Sequence, residues 1–235
     1  IPFQIVLMNR KRTWFFASGV SLFIFLFSCT RQPPIIHEYF WQINIVNDVR
    51  KGSIHEQLSF FISCEDPDGF EDLEILYLVQ DEKELYWELT PGTWTRADIN
   101  GQEFLGTNEI VMYDRSDFPE GEYRMVLRDM SGEYDERRFL IKSTGTDRSA
   151  IVFPEPVIEG SRLLIKGDSP LYSLWVYGRD GTFVQPPYEV REDGLDLNRI
   201  LSRKRELSQG FSYYLYIYDS SMKKGILTGP FDYQP

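Results

Sequence analysis

Gly121-Glu122-Tyr123-Arg124-Met125-Val126-Leu127-Arg128-Asp129 reads as a β-strand entered through a glycine and closed by an aspartate. A second stretch repeats this plan. Gly210-Phe211-Ser212-Tyr213-Tyr214-Leu215-Tyr216-Ile217-Tyr218-Asp219 carries one extra residue after its glycine, and Tyr123 and Tyr213 each lie six positions before the aspartate. The likeness extends upstream. Asp66-Pro67 leads into Leu73-Glu74-Ile75-Leu76-Tyr77-Leu78-Val79, and Asp168-Ser169-Pro170 leads into a strand over 171–177. Each is followed by a turn and a second strand, so the chain reads as a weak internal repeat of β units.

Working outward, further short runs of β-formers appear. They are Phe40-Trp41-Gln42-Ile43-Asn44-Ile45-Val46, then 58–64, 85–89, 109–113 and 138–141. Turn residues stand in the gaps, such as Asp66-Pro67-Asp68-Gly69, Pro91-Gly92, Asn100-Gly101 and Ser131-Gly132. About seven short strands with regular turns predict a β-sandwich. A polar, small-residue stretch over 144–150 reads as a linker. Strands resume at 163–165, 171–177, 182–184, 211–218 and 231–233, with Asp180-Gly181 as a hairpin turn. The expected fold is all-β: one sandwich module over 35–143 and a second over 151–235. The apolar spacing of Leu197, Ile200 and Leu201 predicts one short helix within 197–207.

The Gly-x-Tyr entry and closing aspartate resemble tandem immunoglobulin-like or fibronectin-type-III-like modules over residues 35–235. That resemblance implies that Tyr123 and Tyr213 form tyrosine corners, each hydroxyl bonding back to nearby backbone. The chain lacks a Cys-Trp-Cys core, which excludes an antibody-type domain. At about 85 residues the second module is short enough to lack a strand.

The first 28 residues differ from the rest. Arg10, Lys11 and Arg12 are the only charges there, and an apolar run over 13–28 follows. This is the pattern of a secretory signal, with Met8 as its expected start. Lys11 interrupts the arginines, against a twin-arginine route. The apolar run is about 16 residues, against the roughly 20 a spanning helix needs. Leu26-Phe27-Ser28-Cys29 resembles the lipobox of bacterial lipoproteins. Leu26 and Ser28 match; Phe27 departs, as in the relaxed boxes of spirochaetal lipoproteins. The resemblance implies cleavage before Cys29 and lipid on its thiol, with 29–34 as tether. A simple cleaved signal and an uncleaved anchor are the alternatives. Two acyl chains anchor stably, at about 0.8 kcal/mol per buried methylene. Partners are then the membrane, through covalent lipid, and another envelope protein.

Removing 1–28 takes away three of 25 basic residues and none of 36 acidic ones, so the formal charge moves from −11 to −14. Such a surface repels nucleic acid and anionic lipid. With Cys29 acylated, Cys64 has no intramolecular partner, and it reads as a small core residue in an apolar strand.

Catalytic signatures are sparse. There are two histidines, His37 and His55, and no Gly-x-Ser-x-Gly elbow, Walker loop or Rossmann fingerprint. An envelope hydrolase would need those histidines clustered with carboxylates in a pocket. No cofactor or metal is expected. The one calcium candidate is the acidic turn with Asp66, Asp68 and Asp72, which fits an EF-hand loop only at its start, and a solvated acidic turn explains the same residues. Arg203-Lys204-Arg205 reads as a solvated basic connection.

The binding candidate is the strand over 213–218. Side chains alternate across a strand. With Tyr213, Leu215 and Ile217 facing a core, Tyr214, Tyr216 and Tyr218 line the other face, joined by Trp175 and Tyr177. An aromatic row suits a protein or glycan partner, while cross-strand packing alone accounts for it too. The expected function is a non-catalytic interaction or structural module of the cell envelope, with carbohydrate binding as the alternative.

Overall fold

The computed structural model describes residues 31–99, 101–142, 147–179, 181, 183–202, 207 and 209–235. The signal segment, Cys29 and Arg203-Lys204-Arg205 lie outside the described residues, as does part of the expected linker. The rest of that linker holds a single turn at Arg148–Ala150, capped by the Asp147 carboxylate accepting from the Ser149 amide at 3.0 Å. Pro33–Pro235 forms one compact unit.

Most of the described residues are in strands, with almost no helix. In order they are β1 (Ile35–Asp48), β2 (Ser53–Glu65), β3 (Leu73–Gln80), β4 (Leu85–Leu89), β5 (Thr95–Ile99), β6 (Gln102–Val111), β7 (Gly121–Asp129), β8 (Tyr134–Ile141), β9 (Glu155–Glu159), β10 (Arg162–Lys166), β11 (Leu171–Tyr177), β12 (Phe183–Arg191), β13 (Leu195–Asp196), β14 (Phe211–Asp219) and β15 (Lys224–Tyr233). The expected helix is one turn, α1 (Asn198–Leu201), which buries Ile200. Among the described residues no helix is long and apolar enough to cross a membrane.

Three sheets form. One has eight strands in the order β12-β11-β14-β15-β1-β2-β6-β5; the others run β4-β3-β7-β8 and β13-β10-β9. The first core joins Leu58, Phe60 and Ile62 of β2 to Leu76, Leu78, Tyr123, Met125 and Phe139 of the four-stranded sheet. The second joins Leu174, Val176, Tyr213 and Leu215 to Leu163, Leu195 and Ile200. Each half is a sandwich of facing sheets, the architecture of immunoglobulin-like modules. The Tyr123 hydroxyl donates to the Pro119 carbonyl at 2.9 Å, closing a tyrosine corner. Tyr213 is equally buried among Phe211 and Phe231. It makes no such bond among the described residues.

The halves share one sheet because β1 and β15 pair in parallel, Asn44 to Asp48 against Gly225 to Gly229. Strand parity then assigns the faces. Ile217, Ile226, Ile45 and Glu56 are register partners across four strands and face the side on which both cores lie. Tyr216, Leu227, Val46 and His55 are the neighbouring register line and face the opposite side. On the core side of the sheet, Lys224 donates to Glu56 at 2.6 Å, and the second Glu56 oxygen accepts the Phe118 amide at 2.9 Å.

Candidate functional site

The site is the side of the eight-stranded sheet turned away from both cores. Alternation along β14 buries Tyr213 and Leu215 and turns Tyr214, Tyr216 and Tyr218 to this side. Along β11 it buries Leu174 and Val176 and turns out Trp175 and Tyr177. The two strands pair with Trp175 opposite Tyr214, and the rings engage diagonally. Trp175 stacks on Tyr216 with centroids 5.0 Å apart, and Tyr177 meets Tyr214 edge-on at 5.5 Å. Phe183, opposite Tyr177 in β12, extends the row and contacts Tyr177 at 5.2 Å and Trp175 at 6.1 Å. Sequence reasoning left Phe183 out of the site: a two-residue Asp180-Gly181 turn would set it opposite Gly178, and the register that sets it opposite Tyr177 comes from the structure.

Two glycines of β15 let the rings lie across the sheet. A Cβ at Gly225 would come within 2.6 Å of Tyr216 Cε2, and one at Gly229 within 2.8 Å of Tyr214 Cδ1. Glycine in a strand commonly marks such a close approach. As a result Tyr214 and Tyr216 are half-buried, whereas Tyr218, past the platform, is 48% exposed. Burial, then the neighbouring Tyr214, pushes the Tyr177 hydroxyl up to about 12. Burial also raises Tyr214 and Tyr216, so this part of the face is uncharged at neutral pH.

The platform continues into a groove of about 540 Å³ that crosses into the first half over Leu227, Val46, His55 and Gln57. Arg50, Lys51, Arg115 and Arg179 stand on its border, with Asp48 and Glu109 as its acids. Arg50 is fixed by Asp232 at 2.6 Å, and Lys51 by Asp48 at 3.0 Å. On a chain of formal charge −11, this is a locally basic border.

The histidines are not brought together as a catalytic pair. His37 is exposed on β1, beside Glu65 at 3.4 Å. His55 is buried in the groove floor, and its Nδ1 has no partner among the described residues. Burial, then Arg115, lowers its pKa, so it is neutral at pH 7. No serine, threonine or cysteine side chain bonds to it among the described residues. Cys64 is a core residue whose thiol burial pushes up to about 12. Of the acidic turn, Asp66 and Asp72 come together, but with Asp129 from the end of β7; Asp68 is outside the group.

No family model matches the chain, and no curated protein does. Among solved structures, the chain is similar to the N-terminal Ig1-2 module of the Drosophila receptor protein tyrosine phosphatase DLAR, at 14% identity and TM-score 0.37, over 84% of this chain and 98% of that one. It is similar to dimeric latent PorU of Porphyromonas gingivalis at 12% identity and TM-score 0.32, over 84% of this chain and 20% of that one. A 1.5-MDa bacterial ice-binding adhesin is similar at 11% identity and TM-score 0.22, over 85% of this chain and 63% of that one.

Proposed function

We propose that the chain is an envelope lipoprotein, held to a membrane by lipid on Cys29, whose outer sheet face docks another protein without catalysis. The observation that carries the docking is the continuous platform of Phe183, Tyr177, Trp175, Tyr214 and Tyr216 running into a groove with a charged border. An aromatic centre with a polar rim is the common anatomy of a protein interface. The basic border favours an acidic contact surface on the partner and steers its approach.

A photo-crosslinker in place of the exposed Tyr218 should join the chain to one envelope protein in intact cells. Tyr216→Ala, which removes the ring stacked on Trp175, should weaken that purified pair by about 2 kcal/mol, the scale of an aromatic hot spot. An unchanged affinity would move the interface elsewhere. Carbohydrate binding is the second reading, supported by the stacking of Trp175 on Tyr216 on this half-buried aromatic face. It takes over if a soluble glycan binds, Tyr216→Ala abolishes that binding, and no protein cross-links.

The anchor is tested separately. Cys29→Ala should move the chain from the membrane to the soluble fraction, and mass spectrometry should find a mature terminus at an acylated Cys29. A terminus elsewhere, or an unmodified one, would sink the anchoring proposal.

A further inference from the structure

Three strand ends meet at one end of the first sandwich half. Asp66 follows β2, Asp72 closes the 3-10 turn before β3, and Asp129 ends β7. One carboxylate oxygen from each lies within 4.8 Å of the other two. Backbone bonds fix the arrangement. The Gly69 amide donates to the Asp66 carbonyl at 3.0 Å, the Asp72 amide to the Gly69 carbonyl at 2.9 Å, and the Met130 amide to the Asp72 carbonyl at 2.8 Å.

Clustered carboxylates alone are common and signify little. Here the individual oxygens are informative. Asp129 is 0% exposed. Its Oδ1 accepts from Ser131 Oγ at 2.8 Å and from the Glu133 amide at 2.9 Å. Its Oδ2 is buried with no hydrogen-bond partner among the described residues. Asp66 repeats this division. Oδ1 accepts the Asp68 amide at 2.8 Å, while Oδ2 is buried and unpartnered. An unpaired buried polar atom is costly, and a buried charge far more so. The arrangement has a net repulsion and two idle acceptors, both of which a cation would resolve.

We propose that Asp66, Asp72 and Asp129 bind a calcium ion that ties together the ends of β2, β3 and β7. The donors are all oxygen, which selects a hard cation. Calcium–oxygen distances of about 2.3–2.6 Å place ligands around one ion up to roughly 5 Å apart, a span that includes this cluster. Water completes the coordination on the Asp72 side, where the site is half-exposed. Asp68 stays outside, holding the turn through its amide.

Calorimetric titration of CaCl2 into the EDTA-stripped full chain, kept in detergent, tests this. Binding of one calcium per chain is expected, with a higher melting temperature in calcium than in EDTA. Asp72→Asn and Asp129→Asn should each weaken binding roughly tenfold or more, because affinity follows ligand charge. Asp68→Asn should retain it. Should Asp129→Asn fail to fold, the half-exposed Asp72→Asn decides. The proposal is overturned by an absence of both heat and melting shift at about 10 mM calcium, well above the weakest extracellular sites. It is equally overturned if Asp68→Asn weakens binding as much as Asp72→Asn does.

Discussion

Lys224→Ala is expected to destabilise the chain by about 3–5 kcal/mol, the loss that follows when one partner of a buried ion pair is removed. Lys224 is 3% exposed and Glu56 1%. Their 2.6 Å contact lies on the core side of the sheet, in the region where β1 and β15 join the two halves. With the ammonium gone, Glu56 retains only the Phe118 amide among the described residues. Its charge is then buried without a counterion, which a single backbone donor does not offset. Urea unfolding should show the loss as a lower midpoint. Replacing both residues, as Glu56→Gln with Lys224→Met, removes both charges and keeps an acceptor for Phe118. That double variant should be more stable than Lys224→Ala, since an apolar substitute for a buried pair is often near neutral. A double variant no better than the single would mean that the Lys224 stem, and not its charge, carries the stability.

The effect reaches the functional face. Glu56 adjoins His55 in β2, Lys224 adjoins Gly225 in β15, and His55 and Gly225 look to the opposite side. The groove is continuous from Tyr214 to Gln57 only while β1 and β15 stay paired. Loss of the ion pair should therefore weaken partner binding along with stability, whereas Tyr216→Ala should weaken binding with a smaller change in stability.

The parts of this arrangement legible in the sequence are local. Gly121-Glu122-Tyr123 announces the entry to β7, and the Tyr123 hydroxyl does bond back to Pro119. Alternation along β14 separates Tyr213 and Leu215 from Tyr214 and Tyr216, as period-two patterning requires. The unread parts are nonlocal. Only Phe231-Asp232-Tyr233 of β15 is visible as strand, because Gly225, Gly229 and Pro230 look like turn punctuation. At Gly229 a ring from β14 leaves no room for a side chain, and at Gly225 the Asn44 amide of β1 and then the Tyr216 ring do the same; nothing within β15 records that. The parallel pairing of the first strand with the last depends on contacts about 180 residues apart, beyond any periodicity argument. The same holds for the acidic cluster. Asp66 and Asp72 share a visible turn, but Asp129 reads as the end of a strand and joins them only through tertiary folding.

Gly106→Ala should show this use of glycine most directly, with a destabilisation of about 1–3 kcal/mol or more from overpacking. The segment Gly106-Thr107-Asn108 interrupts the β pattern, so the sequence suggests only a strand at 109–113; the structure runs β6 through it from Gln102 to Val111. The reason is a bulge. Leu58 pairs with Ile110 and Phe60 with Thr107, so β6 carries one residue more than β2 across that interval. Extra residues of this kind bend the strand and bring backbones close. A Cβ at position 106 would lie 2.1 Å from the Phe60 carbonyl oxygen and 2.6 Å from the Phe61 Cα. Both obstacles are backbone atoms of β2, so no rotamer change relieves them. The strands must separate, which shifts Phe60 of β2 in the first core. Gly92→Ala is the matched control, because its added methyl meets nothing within 4 Å. It should stay within about 0.5 kcal/mol of the parent. Equal urea midpoints for the two variants would show that β2 and β6 are not held this close, and the bulge would lose its role in setting the register beneath the groove.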